Sequence, residues 1–121
     1  MKILVVDDSK AVHAFIKSVF KSTEHKLCNA YNGVEALESV DSEKPDLILL
    51  DWEMPVMDGI ETLVELRARE IDTPVVMVTS RNEVSHIILA LEKGANEYVM
   101  KPFTKEMLFE KLAMVVGKEV A

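Results

Sequence analysis

The fold is decided by a pattern that first occurs in KILVVDD, residues 2–8, where four apolar residues run straight into two aspartates. A short, continuous run of branched apolar residues is typical of a strand buried on both faces of a parallel sheet. Similar runs occupy residues 47–50 and 75–78, whereas residues 27–30 and 98–100 are weaker and more mixed. We therefore predict interior strands beginning near residues 3, 47 and 75, with edge strands at the other two positions.

The segments between these strands carry apolar residues at the i, i+3, i+4 spacing of amphipathic helices. Gly94 fits a helix C-terminal cap and Thr104 a helix N-cap. The residues expected to face the core are Val12, Phe15, Ile16, Val19, Phe20, Val34, Leu37, Val40, Ile60, Leu63, Val64, Val84, Ile87, Ile88, Leu91, Leu108, Leu112 and Val115. Five alternating strand–helix units predict an α/β fold with right-handed crossovers.

Length and composition indicate one globular domain over residues 1–121, with 49% hydrophobic residues for its core. The 14 basic and 21 acidic residues give a net charge of -7, which argues against nucleic acid or an anionic membrane as a partner. The apolar runs are too short for a signal peptide or a membrane span, so we expect a cytoplasmic protein. We also expect a monomer with no effector domain after the last helix. The single cysteine, Cys28, has no disulfide partner and no zinc-ligand spacing.

Polar residues end the apolar runs. Asp7 and Asp8 follow the first strand, Asp51 the third, Thr79 the fourth and Lys101 the fifth. Each residue alone is more often a turn former, a helix cap or a solvated side chain. In a parallel sheet, however, all these strand ends lie along the edge where ligands bind. The joint pattern therefore predicts a site made of carboxylates, a hydroxyl and an ammonium group.

Three neighbouring carboxylates repel one another, which predicts a raised pKa for at least one of them and a bound cation. Oxygen ligands without histidine or cysteine favour Mg²⁺, which also takes phosphate oxygens. A metal beside a lysine and a hydroxyl fits a transferring phosphoryl group. One carboxylate is then the nucleophile. Asp51 is the candidate because it stands alone at the end of a central strand, whereas Asp7 and Asp8 hold the metal.

At these motifs the chain resembles the CheY-like receiver domains of response regulators, over essentially its whole length. The matching stretches are VVDDS at residues 5–9, LDWEMPVMDG at residues 50–59, VTS at residues 78–80 and KPF at residues 101–103. The resemblance implies a flavodoxin-like, doubly wound sheet of five parallel strands in the order 2-1-3-4-5. It also implies a function in two-component signal transduction.

The resemblance implies roles for the site residues. Asp51 would be phosphorylated, and Mg²⁺ would lie on Asp8, Asp51 and the backbone carbonyl of Glu53, with Asp7 acting through water. Thr79 would contact the phosphoryl group.

At the end of the fifth strand, the same resemblance implies that Lys101 contacts the phosphoryl group and that the bond before Pro102 is cis. Tyr98 matches the rotating switch aromatic of the family, and an ordinary edge-strand aromatic is the alternative. The family's output surface comprises the fourth helix, the fifth strand and the fifth helix.

A second stripe on the last helix belongs to this output surface. Met107, Lys111 and Met114 follow an i, i+4, i+7 spacing away from the expected buried face. Surface filler is the alternative, but the adaptability of methionine favours an interface. Tyr98 is predicted to belong to the same surface.

Two residues depart from the family pattern. Residue 53 is Glu where chemotaxis members often carry Asn, and Arg81 lies two residues after Thr79. In the family both positions flank the mouth of the site. We expect Glu53 and Arg81 to project over Asp51, where an ion pair between them would modulate the access of water.

The remaining polar and aromatic residues have plain interpretations. His13, His25 and His86 show no paired spacing, so solvated side chains are expected rather than metal ligands or a phosphohistidine. Trp52, next to the acidic site, is expected to be half-exposed.

The resemblance implies a histidine kinase as phosphodonor, a protein target such as a flagellar motor switch component, and a phosphatase as a further partner. The DWEMP stretch at residues 51–55 and the KPFT stretch at residues 101–104 are most similar to chemotaxis regulators. A phosphate sink or a relay intermediate stays open beside a motility regulator.

Three other functions fit part of the pattern. A haloacid-dehalogenase-like phosphatase also uses an aspartate, magnesium and a lysine, but it needs a covering cap and a longer chain. A flavodoxin-like cofactor module needs a phosphate-binding loop where the acidic Asp7 and Asp8 stand. A phosphorylation-independent scaffold would not need the complete site. We therefore expect a phosphoacceptor that assists its own phosphorylation and dephosphorylation, not an enzyme that turns over an external substrate.

Overall fold

The computed structural model describes residues 1–120, which contain five strands and five helices in alternation. The strands are β1 Lys2–Val6, β2 Lys26–Ala30, β3 Leu47–Leu50, β4 Val75–Thr79 and β5 Glu97–Met100. The helices are α1 Lys10–Val19, α2 Gly33–Glu43, α3 Gly59–Ala68, α4 Val84–Glu92 and α5 Lys105–Val116. The predicted α/β class is confirmed. None of these helices is long and apolar enough to cross a membrane.

The strands pair in parallel in the order β2-β1-β3-β4-β5, with β2 and β5 at the edges as the apolar runs predicted. Leu4 and Val6 of β1 join an apolar cluster with α2, α3 and α4. Ile3 and Val5, on the opposite face, join a cluster with α1 and α5. Helices therefore cover both faces, which confirms the doubly wound arrangement. All strands end at the same edge of the sheet.

Side-chain caps begin helices just beyond this edge. The predicted N-cap Thr104 accepts a hydrogen bond from the backbone N–H of Met107 at 3.1 Å, and Ser9 accepts one from Val12 at 3.3 Å. Each cap satisfies an N–H group that has no partner in the first helical turn. Because Ser9 follows the two aspartates directly, the cap of α1 also fixes the turn that carries them.

The predicted buried stripe of α4 is wrong in most of its members. Val84 is 69% exposed, and Ile88 and Leu91 are also exposed, whereas the small Ala90 is completely buried. A helix that is apolar on all sides can bury only one side against the sheet, and the side carrying Ala90 packs there. The outer side of α4 is therefore apolar and exposed. Three other residues that were predicted to face the core are also exposed: Phe15, Val34 and Val64.

The half-buried guanidinium group of Arg67 connects the loops that precede β4 and β5, at the end of the sheet opposite the aspartates. Arg67 of α3 donates hydrogen bonds to the carbonyl oxygens of Gly94 at 2.8 Å, Ile71 at 2.7 Å and Thr73 at 3.0 Å. Gly94, the predicted cap residue after α4, has a φ of 113°. A Cβ atom at this position would lie 2.9 Å from the Arg67 side chain. Both the backbone angle and this neighbour therefore require glycine.

We predict that Gly94→Ala lowers the free energy of unfolding by about 1–3 kcal/mol, because an L-residue is strained at this angle and meets Arg67. Gly117→Ala is the matched control, since Gly117 also has a positive φ of 75° but no described atom within 4 Å of its Cβ position. Urea unfolding followed by circular dichroism measures both losses. Equal losses would contradict a role for the Arg67 contact.

Candidate functional site

The ends of the strands bring the predicted acidic residues together. Asp7, Asp8 and Asp51 each offer a carboxylate oxygen, and these oxygens lie within 4.8 Å of one another. Asp7, Asp51 and Thr79 are buried, whereas Asp8 is exposed. Asp8, Asp51, Glu53 and Thr79 help to line an open cleft of about 550 Å³. The site therefore has a buried floor and an accessible rim.

Lys101, which directly follows β5, completes the buried floor of the site. Nζ of Lys101 donates to Oδ2 of Asp7 at 2.7 Å and lies 3.4 Å from Oδ2 of Asp51. The other carboxylate oxygen of Asp7 accepts from the backbone N–H of Ser9 at 2.8 Å. The peptide bond between Lys101 and Pro102 is cis, as the resemblance implied. One ammonium group is thus shared by two buried carboxylates.

Burial raises the pKa of the Asp51 carboxyl above its ordinary value, and the charge of Asp7 raises it further. Lys101 and a hydrogen bond from the backbone N–H of Trp52 act in the opposite direction without cancelling the rise in this pKa. Repulsion between carboxylates, which the sequence predicted, therefore contributes less than burial. Burial lowers the pKa of Lys101, but its hydrogen bonds and its attraction to the two carboxylates outweigh burial and raise that pKa.

The donor set fits a magnesium ion. The cluster offers carboxylate oxygens alone, and hard oxygen donors are the ligands that Mg²⁺ prefers. Its rim, at Asp8, is exposed, which suits an ion that keeps several water ligands. Asp7, Asp8 and Asp51 are therefore the side chains that would hold the ion.

Glu53 and Arg81, the two residues that depart from the family pattern, lie at the mouth of the site. Nη2 of Arg81 is 2.9 Å from Oε1 of Glu53, and its guanidinium carbon lies 4.8 Å from the centre of the Trp52 ring. Trp52 is only 6% exposed, so the expectation of a half-exposed ring is wrong. Its ring packs in the core cluster on the α2, α3 and α4 side of the sheet and lies edge-on to His86.

Tyr98 is joined to the site through the backbone of Arg81. The Tyr98 hydroxyl donates to the Arg81 carbonyl oxygen at 2.8 Å, and the Arg81 N–H donates to Oγ1 of Thr79 at 3.3 Å. Burial raises the pKa of this hydroxyl. Tyr98 is buried, so its assignment to the exposed output surface is wrong for this conformation, because the ring packs in the core.

The side chains of the second stripe on α5, which the sequence assigned to an output surface, lie away from the core as predicted. Met107 and Met114 are exposed on α5. Nζ of Lys111, between them, is 3.5 Å from a carboxylate oxygen of Glu97 on β5. The outer side of α5 therefore combines apolar side chains with a charged pair.

The expectation that the histidines are solvated is wrong. His13 is buried, with Nε2 at 2.7 Å from the carbonyl oxygen of Asp7 and Nδ1 at 2.9 Å from Oδ1 of Asn29. His25 hydrogen-bonds to the first and the penultimate residue of the chain, and His86 is half-buried against tryptophan. Sequence reasoning missed His13 as a neighbour of the site. Its helical spacing, three residues before a buried isoleucine, is the signal that points to it.

Fold and edge chemistry together define an α/β domain of the receiver type. The family model of the response regulator receiver domain matches residues 3–113, and the chain belongs to this family. It is thus a receiver domain of two-component signal transduction. Such domains take phosphate from histidine kinases and act on downstream targets.

Relatives of two kinds match the chain. Chemotaxis protein CheY1 of Helicobacter pylori is 38% identical over 121 residues, which cover 97% of this chain and 98% of that protein. Response regulator MprA of Mycobacterium avium is 38% identical over 118 residues, or 98% of this chain, but the chain spans only 52% of its length. The BeF3-activated N-terminal receiver domain of Klebsiella pneumoniae RstA is a structural neighbour with a TM-score of 0.90 and 31% identity, covering 96% of this chain and 98% of that one.

We predict that Asp51→Asn raises the melting temperature of the metal-free protein at neutral pH. A carboxyl with a raised folded-state pKa stabilises the fold at low pH, and this contribution is lost as the pH rises through the folded pKa. The gain in the variant should therefore shrink as the pH falls through the raised folded-state pKa, and it should be smallest below the ordinary value of 3.8. Thermal melts in a chelator, at acidic and neutral pH, measure it.

The control is Asp8→Asn, which removes a carboxylate of the same cluster from an exposed position and should raise the melting temperature less. A lower melting temperature for Asp51→Asn than for the wild type at neutral pH would contradict the cost of burying this charge.

Proposed function

We propose that this receiver domain accepts a phosphoryl group from a histidine kinase on Asp51, with Mg²⁺ as the cofactor. The placement of Asp51 carries the proposal. Its carboxylate lies 3.4 Å from the ammonium group of Lys101, belongs to the three-carboxylate cluster with Asp7 and Asp8, and faces an open cleft. A nucleophile that lines an open cleft, beside a cation and a metal-ligating cluster, is the arrangement that phosphoryl transfer needs.

In the transfer, a carboxylate oxygen of Asp51 forms a bond to phosphorus as the phosphorus–nitrogen bond to the donor histidine breaks. The electron pair of that bond leaves with the imidazole. Magnesium, when bound, neutralises charge on the phosphoryl oxygens. The residues that would hold it are Asp7, Asp8, Asp51 and, through its backbone carbonyl, Glu53.

Lys101 and Thr79 contact the transferred group, and its binding changes the hydrogen bonds around Thr79. Lys101 supplies a positive charge beside Asp51, and the Thr79 hydroxyl is placed to donate to a phosphoryl oxygen. Thr79 now accepts a hydrogen bond from the Arg81 N–H, and Tyr98 donates to the carbonyl of the same residue. Movement of Thr79 toward the phosphoryl group would change the first contact and thereby bias the second.

The output surface in this proposal is the face of α4, β5 and α5. The exposed apolar side chains on these elements are Val84, Ile88, Leu91, Met100, Met107 and Met114. Exposed apolar groups of this kind are typical of protein interfaces, and methionine adapts to a partner's shape. The unexpected exposure of the outer side of α4 therefore supports a protein target.

The proposed target is a flagellar motor switch component. The support is the match to CheY1 along almost the whole of that chemotaxis protein. We infer in the same way a cytoplasmic monomer with a phosphatase as a further partner. A phosphate sink or a relay intermediate is the alternative, in which the output surface has no motor target.

We predict that acetyl phosphate and Mg²⁺ add one phosphoryl group to the wild type, and that Asp51→Asn abolishes the addition. Intact-mass analysis measures the product. Asp41→Asn, a substitution at an exposed aspartate on α2, is the matched control and should label like the wild type. Undiminished labelling of Asp51→Asn would place the nucleophile elsewhere.

The same preparation tests the proposal that the chain is a phosphoacceptor and not a turnover enzyme. We predict no multiple turnover of p-nitrophenyl phosphate by the wild type in the presence of Mg²⁺, because a phosphate ester is a less reactive phosphoryl donor than the phosphorus–nitrogen bond of a phosphohistidine. Turnover that Asp51→Asn abolishes would favour a phosphatase instead.

We predict that Glu53→Asn and Arg81→Ala each speed loss of the phosphoryl group from Asp51, by up to about tenfold, or about 1.4 kcal/mol in the barrier. The reason is that the bridged pair occupies the approach of the attacking water. An exposed pair adds only about 0–1 kcal/mol to stability, so unfolding should change little. Intact-mass analysis after removal of the donor follows the decay.

Arg69→Ala, which breaks the exposed pair of Arg69 and Glu65 on the other side of the molecule, is the control and should leave the decay unchanged. The double variant at positions 53 and 81 should be less than additive. Slower decay in both single variants would mean that the pair orients the water.

We predict that the immobilised chain captures a motor switch component from a lysate of its own cells more strongly with beryllofluoride and Mg²⁺ than without them. Met114→Glu should abolish the gain by placing a charge in the apolar surface of α5. Val34→Glu, at an exposed apolar residue of α2, is the matched control. Capture that ignores beryllofluoride, or that survives Met114→Glu, would remove the motor target from the proposal.

A further inference from the structure

The backbone N–H, the backbone carbonyl and both carboxylate oxygens of Asp7 each have a hydrogen-bond partner. Its backbone N–H donates to the carbonyl oxygen of Ala30 at 3.1 Å. Its carboxylate accepts from the backbone N–H of Ser9 at 2.8 Å and from Lys101 at 2.7 Å. Its backbone carbonyl oxygen is 2.7 Å from Nε2 of His13. Among these contacts, His13 is the one side chain with no place in the predicted phosphoryl chemistry.

The ring of His13 is itself fixed on three sides. It is only 7% exposed, although it lies on α1 at the rim of the sheet. Nδ1 is 2.9 Å from the side-chain amide of Asn29 on β2, and the ring centre lies 4.5 Å from that of Tyr31. Because a carbonyl oxygen can only accept, Nε2 carries a proton and donates to Asp7. The backbone carbonyl of Asp7, a candidate metal ligand, therefore accepts a hydrogen bond from the rigidly held ring of His13.

We propose that His13 is a positioning residue for the metal site, acting through the peptide group of Asp7. The carbonyl that His13 contacts belongs to the peptide group between Asp7 and Asp8, so a rotation of this group changes ψ of Asp7 and φ of Asp8 and shifts the two carboxylates relative to each other. Without this donor the buried carbonyl oxygen of Asp7 has no hydrogen-bond partner. The loss favours a rotation of the peptide group toward another donor. Hydrogen-bond partners that orient metal ligands typically change metal affinity by about 10–100-fold. This inference rests on the proposed function, since it requires Mg²⁺ at the site.

Two amide substitutions separate the two ring nitrogens. The amide nitrogen of glutamine reaches the position of Nε2, and that of asparagine reaches the position of Nδ1. His13→Gln therefore keeps the donor to Asp7, whereas His13→Asn keeps only a contact to Asn29. Isothermal titration with MgCl₂ should show an affinity within about threefold of the wild type for His13→Gln and a loss of about tenfold for His13→Asn.

Circular dichroism melts of both variants control for folding, and a purely structural role would lower the melting temperature while leaving the Mg²⁺ affinity unchanged. Asn29→Ala extends the test without altering His13, because it releases only the outer end of the ring. It should give a loss in Mg²⁺ affinity of between about threefold and about tenfold.

The outcomes are distinct. Wild-type affinity in folded His13→Asn, or equal losses in His13→Asn and His13→Gln, overturns the role of His13 and leaves the proposed function standing. Absence of Mg²⁺ binding by the wild type overturns both. If His13→Asn does not fold, wild-type Mg²⁺ affinity in Asn29→Ala overturns the inference in its place.

Discussion

Two buried carboxylates, Asp7 and Asp51, share the single ammonium group of Lys101, and much of the site depends on this arrangement. Burying an unpaired charge is costly. The contact of Lys101 with the carboxylates of Asp7 and Asp51 offsets this cost. With Asp8 included, three carboxylates face one lysine. If all are ionised, two negative charges remain, which one magnesium ion would balance. The acidic edge is thus arranged for a cation that the chain itself does not supply.

The same edge is connected to the rest of the molecule through short polar contacts. Thr79 and Tyr98 both bond to the backbone of Arg81, whose guanidinium group covers Trp52 and pairs with Glu53. The site is therefore joined to a buried aromatic ring of an edge strand by two hydrogen bonds to one backbone segment. On the opposite side, a histidine of α1 bonds to the backbone of the first aspartate. The acidic edge is thus contacted from both of its sides.

The fold and the edge residues were predictable from the sequence because both depend on where apolar runs end. A parallel sheet places every strand end at one edge, so Asp51 and Lys101 were expected to meet there. The errors concern burial on helices and at the mouth of the site. The sequence of α4 offers apolar residues on all sides, and only tertiary packing selects the side of Ala90. Trp52 is covered by the guanidinium group of Arg81, a contact that periodicity does not reveal. The helical spacing of His13 indicates its burial but not its bond to Asn29 of β2.

We infer that the acidic edge binds a phosphoryl group only together with a divalent cation. Isothermal titration of the wild type with beryllofluoride, a phosphoryl mimic, tests it most directly when performed with and without Mg²⁺. We expect saturable binding to one site in the presence of Mg²⁺ and none detectable in a chelator. Equal binding under both conditions would contradict it, because the lysine alone would then suffice to neutralise the group.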